Sequence, residues 1–153
     1  MPDPTVDLMI YRATEMTDEL YLACQKLVPQ LTSNNPPPTR QELALLVSSK
    51  SSILFFARQT EFENEIIGLA TLVLYRVTTG LRAYIEDLVV DEKARRCRIG
   101  ESLIHACLEQ AKAEGASQVM LTSNPGRLAA NRLYQRMGFE LRKTNVYRYL
   151  LIR

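Results

Sequence analysis

Four cations, Lys93, Arg95, Arg96 and Arg98, crowd the chain just ahead of Gly100, and a helical apolar repeat begins beside that glycine at Ile99. Such an order is one way to hold a phosphate. The first N–H groups of a helix have no partner within the helix and sit at the positive end of its dipole. Glycine lets backbone approach a bulky anion because it has no Cβ, and guanidinium groups add charge-assisted bonds to phosphate oxygens. The spacing is neither Gly-x-x-x-x-Gly-Lys-Ser/Thr nor Gly-x-Gly-x-x-Gly. Taken alone, the stretch reads equally as a solvated basic turn before a helix. Just upstream, "IEDLVV" carries adjacent carboxylates, Glu86 and Asp87. Strand alternation puts Glu86 with Leu88 and Val90, and Asp87 with Ile85 and Val89, so one carboxylate faces each side of a sheet.

Other chemistries are poorly supplied. The cysteines, Cys24, Cys97 and Cys107, are odd in number and widely spaced, which gives neither a disulfide framework nor metal-ligand spacing. They read as reduced thiols in a cytoplasmic protein. With His105 the only histidine, a Cys/His zinc site and a His-dependent nucleophilic triad are both disfavoured, and no metal site is expected. His105 follows Glu101 by one helical turn, the spacing of a surface pair. Net charge is only +2, from 19 basic against 17 acidic residues, and no aromatic interleaves with "KARRCR". A nucleic-acid partner is therefore not expected. The N-terminal "MPDPTVDLMIYRAT" lacks a charged region followed by an apolar core, and no run approaches a membrane span.

These residues need elements to position them. "LMIYRAT" reads as a first strand, and "TDELYLACQKLVPQL" as a helix capped by Thr17 or Asp18. Pro36–Pro38 break the helical pattern, after which Thr39 and Glu42 form a capping box for "RQELALLVSS". Strand-like runs follow at 51–59, 65–77 and 81–92, the last two joined tightly through "TTG". "SLIHACLEQAKAEG" is a helix whose Leu103, Ile104, Cys107 and Leu108 form a core stripe, stopped at Gly115. A short strand "SQVMLTS", a helix "NPGRLAANRLYQRMG" and one or two closing strands in "FELRKTNVYRYLLIR" complete a single mixed domain over residues 1–153.

The basic turn Arg95-Arg96-Cys97-Arg98-Ile99-Gly100 resembles the acetyl-CoA signature Arg/Gln-x-x-Gly-x-Gly/Ala of the GNAT superfamily of N-acetyltransferases, with Arg98 in place of the first glycine. "RLAANRLYQRMGFE" is similar to the family's Ala-x-x-Leu/Phe-Tyr-x-x-x-Gly-Phe pattern through Ala130, Leu133, Tyr134, Gly138 and Phe139. Many members have Asn seven residues before that tyrosine, where this chain has Arg127.

The resemblance implies an α+β fold of three layers, α/β/α, with a mixed, mostly antiparallel sheet splayed at a cofactor cleft. It implies acetyl-CoA as co-substrate. Backbone of Leu88, Val89 and Val90 would pair with the pantetheine arm; Arg95, Arg96, Cys97, Arg98, Ile99, Gly100, Glu101 and Ser102 would hold the pyrophosphate, with Asn131 as a further contact. Tyr134 falls where the family places its general acid, and a phenol is protonated at neutral pH; a core aromatic with a hydrogen-bonded hydroxyl is the other reading. "YIEDLVV" resembles the strand that lines the acceptor site in glucosamine-phosphate acetyltransferases. Glu86 is the preferred base or acceptor contact, with Asp87 second, and a plain polar role at a strand end open for both. Arg127 is an acceptor contact, a cofactor-phosphate contact or a local electrostatic cap. The expected acceptor is a primary amine on a small molecule or peptide, and Arg142, Lys143 and Arg148 hint at an acidic or phosphorylated one. A catalytically silent acetyl-CoA sensor is the alternative. No membrane partner is expected, and a homodimer is compatible with the reading.

Overall fold

Period-2 alternation and turn chemistry produce the sheet, and two capped helices and one glycine-started helix cover it. The computed structural model describes residues 7–152; the leader reading of residues 1–6 lies outside them. The elements run β1 (Leu8–Arg12), α1 (Asp18–Leu31), α2 (Arg40–Ser48), β2 (Ser52–Gln59), β3 (Ile66–Val77), β4 (Gly80–Val90), α3 (Ile99–Ala113), β5 (Val119–Met120) and α4 (Leu128–Arg136). They fall into two compact units that divide between Leu121 and Thr122.

In the first unit the strand order is β1-β2-β3-β4-β5. The first four strands are antiparallel, and β5 joins β4 in parallel. The sheet is thus mixed and mostly antiparallel. Thr17 caps α1 by accepting from the Leu20 N–H, and Thr39 and Glu42 complete the reciprocal capping box of α2. Pro29 lies inside the last turns of α1, and Gln25 Nε2 donates to the Pro38 carbonyl at 2.9 Å, tying the proline run back to that helix.

Cross-strand register defines the two faces, because directly opposed residues share one. Leu54, Phe56, Leu69, Thr71, Glu86 and Val89 lie on one face. There Leu54, Leu69 and Val89 join Leu20, Ala23, Cys24 and Leu27 of α1 and Leu43 of α2 in a buried core. Gly68, Leu72, Ile85 and Val90 lie on the other face, under α3. A Cβ on Gly68 would stand 3.0 Å from Leu103 Cδ1 and 3.1 Å from Ile99 Cγ2, so this glycine sets how closely the start of α3 approaches the sheet. Leu103, Ile104 and Cys107 are fully buried, as the core-stripe reading expects, and Leu108 is half-buried.

The second unit begins with a turn closed by Asn124, whose Oδ1 accepts from the Gly126 N–H at 2.8 Å, and continues into α4. Gly138, at φ +99°, ends that segment. Residues 139–152 contain no strand, which corrects the expected closing strands. Alternation such as that of Val146, Tyr147 and Tyr149 permits an extended chain, but a strand also needs an edge to bond. Among the described residues none of 140–152 makes a backbone hydrogen bond.

Candidate active site

Strand β4 changes character along its length. Ala83 and Tyr84 pair with β3 on one edge and with Val119 and Met120 of β5 on the other. From Ile85 to Val90 the outer edge has no strand partner within this unit. The same stretch carries an irregularity: Thr71 opposes Glu86 and Leu69 opposes Val89, so two β3 steps match three on β4. The extra residue is a bulge, and Asp87 adopts φ +51° within it. This corrects the simple alternation. Glu86 shares a face with Val89 and Tyr84, not with Leu88 and Val90, because the bulge inverts the order of side chains. Glu86 is therefore on the α1/α2 side of the sheet, and both carboxylates remain exposed. Partial burial, and secondarily the Asp87 charge, push the Glu86 carboxyl above its ordinary value, a direction that makes it a stronger base near neutral pH.

Beyond Val90 the chain turns once through a 3-10 segment, Glu92–Ala94, and then forms the basic loop. Arg96 and Arg98 both occupy the left-handed region, at φ +72° and +60°. Arg98 is the residue immediately before α3, and its φ and ψ of +60° and +19° are ones glycine adopts freely. It therefore accepts backbone strain at the position where the family signature has glycine. Its carbonyl receives the Ser102 N–H at 3.1 Å and the Ser102 hydroxyl at 3.0 Å. No side chain caps α3, and the N–H groups of Ile99, Gly100 and Glu101 have no acceptor among the described residues. Ile99 is buried, while the side chains of Arg95, Arg96 and Arg98 are exposed. At Gly100 a Cβ would meet nothing closer than Val90 Cγ2, at 3.7 Å. Nothing in the chain itself demands glycine there; an anion seated on the free N–H groups would.

In the second unit Tyr134 is buried, with the Phe139 ring edge-on at 6.0 Å. Burial pushes its phenol pKa up, and the Arg127 charge works against that rise, so the phenol keeps its proton at neutral pH. Asn131 Nδ2 donates to the carbonyls of Asn124 at 2.9 Å and Arg127 at 2.8 Å. Its amide protons are thus committed to holding the turn before α4, leaving only its oxygen for a ligand. Arg127 is exposed at the start of α4 and makes no side-chain cap.

The remaining candidates are accounted for. Burial raises the Cys24 thiol to about 11 and the Cys107 thiol to about 12, which makes both inert. Cys97 is half-buried in the loop, its Sγ 3.9 Å from the Arg95 carbonyl. His105 is exposed, and no ion pair or hydrogen bond joins it to Glu101, contrary to the expected surface pair. Among the described residues no group of acidic, histidine or cysteine side chains could hold a metal, and no helix is long and apolar enough to cross a membrane.

The model of the acetyltransferase (GNAT) family matches residues 15–139. The chain belongs to the GNAT acetyltransferase family. This GNAT chain is similar in fold to an aminoglycoside acetyltransferase from an uncultured soil metagenomic sample, with 22% identity, TM-score 0.77, and coverage of 95% of this chain and 97% of that one. It also resembles a Trypanosoma brucei acetyltransferase (25% identity, TM-score 0.73, 94% and 100% covered). A third likeness is glucosamine-6-phosphate N-acetyltransferase from Arabidopsis thaliana (17% identity, TM-score 0.75, 94% and 98% covered). Comparison with curated proteins finds no match.

Proposed function

We propose that this GNAT protein transfers the acetyl group of acetyl-CoA directly to a primary amine of a small molecule, and that residues 1–153 act as one N-acetyltransferase domain. The observation that carries the reading is continuous in the chain. A strand that loses its outer partner after Tyr84 runs, through a bulge, into a basic loop and a helix start with unpaired N–H groups. The family match runs across both units.

On this reading the backbone of Leu88, Val89 and Val90 offers the open edge to the pantetheine amides. The loop Arg95–Ser102 receives the pyrophosphate, on the free N–H groups of Ile99, Gly100 and Glu101 and the charges of Arg95, Arg96 and Arg98. A neutral amine attacks the thioester carbonyl. The C–N bond forms, the C–S bond breaks, the amine loses a proton, and the departing thiolate gains one. Glu86, with its raised pKa, takes the amine proton directly or through water, with Asp87 beside it. Tyr134 supplies the proton to the thiolate. Two of the structural relatives are an aminoglycoside acetyltransferase and a glucosamine-6-phosphate N-acetyltransferase, and amino sugars are accordingly the first acceptors to try.

Release of CoA thiol from acetyl-CoA, measured across amino sugars and their phosphates, aminoglycosides, polyamines and peptides, tests the activity. Turnover with at least one amine is expected, and Tyr134→Phe should lower kcat by about 100-fold or more while the ring still packs. Unchanged turnover in Tyr134→Phe rejects its acid role. Tight acetyl-CoA binding with no turnover on any amine favours the sensor alternative.

A further inference from the structure

Where β4 gives way to the basic loop, a buried carboxylate meets a helix from the other side of the sheet. Asp91 is only 4% exposed. Its N–H donates to the Ile67 carbonyl at 2.8 Å, extending the β3–β4 ladder by one bond. Its Oδ1 accepts from the Lys93 N–H at 3.2 Å, and its Oδ2 lies 3.2 Å from Lys26 Nζ on α1. Lys93 Nζ pairs with Glu65 Oε2 at 2.6 Å, and Lys26 reaches the same oxygen at 3.7 Å. Gln30, one turn beyond Lys26, accepts the Glu92 N–H on its Oε1 at 2.9 Å. Burial alone would raise the Asp91 pKa, but the Lys93 N–H and the Lys26 charge outweigh it and hold the carboxyl below its ordinary value.

The pinning stops abruptly. After the Ala94 N–H to Asp91 carbonyl bond at 2.9 Å, the loop makes one long backbone bond, from Arg95 N–H to the Glu92 carbonyl at 3.5 Å. Two left-handed residues follow, Arg96 and Arg98, before Ile99 is buried in the core. The loop tip therefore takes its position from its two ends. One end is fixed by apolar packing of Ile99 against Gly68, and the other by polar contacts with α1. A buried carboxylate is a costly way to end a strand, and a neutral cap would close so short a turn as well. A charge here does something a cap cannot: it binds α1 to the loop entrance.

We propose that Lys26 and Asp91, with Gln30, are positioning residues that set the cofactor loop for acetyl-CoA by tying its entrance to α1. The role in acetyl-CoA binding rests on the proposed function; the tie itself does not. Two measurements separate the failures. On ligand-free protein, trypsin should cut at Arg95, Arg96 and Arg98 about threefold faster in Lys26→Met than in wild type, while Lys26→Arg restores wild-type rates. In steady-state assays Lys26→Met and Asp91→Asn should raise the KM for acetyl-CoA about tenfold with kcat within about twofold. Lys26 is half exposed, so its variant tests the tie even where Asp91→Asn folds poorly. Wild-type cleavage rates in Lys26→Met overturn the tie. Faster cleavage with an unchanged KM overturns its role in acetyl-CoA binding, as does a loss in kcat alone. Absence of acetyl-CoA binding by the wild type overturns the proposed function and leaves the cleavage result to decide the tie.

Discussion

The two halves of β4 are one strand built to two specifications. From Gly80 to Tyr84 it has regular register with β3, and at Ala83 and Tyr84 it is bonded on both edges. From Ile85 to Val90 it keeps β3, gains a bulge and a left-handed Asp87, and loses its outer partner. The first half contributes little but sheet. The second presents a carboxylate of raised pKa, an open backbone edge and a direct lead into uncapped helix N–H groups. The difference teaches that the candidate site begins where the sheet stops satisfying itself, since buried or converging backbone groups left unpaired are poised for a ligand.

Substitutions in the two halves and in the elements they lead to can break this contrast. Within β4 and the loop and helix it leads to, the largest effect is expected at Glu86. Glu86→Gln should lower kcat/KM about 100-fold near neutral pH. For the wild type the sign follows from the raised pKa: the base works when ionised, so activity rises with pH through a value above the ordinary glutamate 4.5. The Gln variant should lose that limb of the pH–rate profile, and a retained limb would assign it to another group. The same shift makes Glu86 a small stability liability. Its ionisation is disfavoured in the folded state, so its contribution is most favourable below pH 4.5 and is lost as pH rises through the folded value.

Next in size is Gly68→Ala. Its Cβ would press on Leu103, Ile99 and the Val89 carbonyl, the last at 3.4 Å, at a cost of about 1–3 kcal/mol in thermal or denaturant unfolding. It should also raise the KM for acetyl-CoA, because α3 must lift from the sheet. Gly100→Ala should do the reverse. The chain leaves room for that methyl, and alanine favours helix, so stability should hold or rise by up to about 1 kcal/mol. Affinity for acetyl-CoA should nevertheless fall about tenfold, because the methyl occupies the approach of the anion. Arg98→Gly has a smaller expected effect than these. It relieves a left-handed non-glycine worth about 1 kcal/mol while removing one cation. As a control in the regular half, Arg82→Ala should leave rate and acetyl-CoA affinity unchanged and shift stability by no more than about 0.5 kcal/mol.

Much of this was legible in the sequence, for identifiable reasons. The cap of α1 and the capping box of α2 follow from side-chain types at fixed offsets, and the burial of Leu103, Ile104 and Cys107 follows from the helical period. Gly100 and the apolar repeat from Ile99 marked where α3 begins. The bulge was not legible, because one inserted residue leaves the pattern of types around Asp87 unchanged while inverting the faces beyond it. Nor was the contact of Lys26 and Gln30 with Asp91 and Glu92, since pairs so distant in sequence leave no local pattern; an aspartate closing an apolar strand was the only hint. The tail after Gly138 misled in the opposite direction. Its alternation is strand-like, but alternation states what a chain is able to pair with, not whether an edge meets it.

The central claim is that the open half of β4 and the loop after it form an acetyl-CoA site. Calorimetric titration of wild type and Gly100→Ala with acetyl-CoA tests it most directly. One binding event per chain, weakened about tenfold in the variant without loss of folded stability, is the predicted result. Absence of binding by the wild type at millimolar acetyl-CoA, or equal affinity in the two proteins, would contradict it.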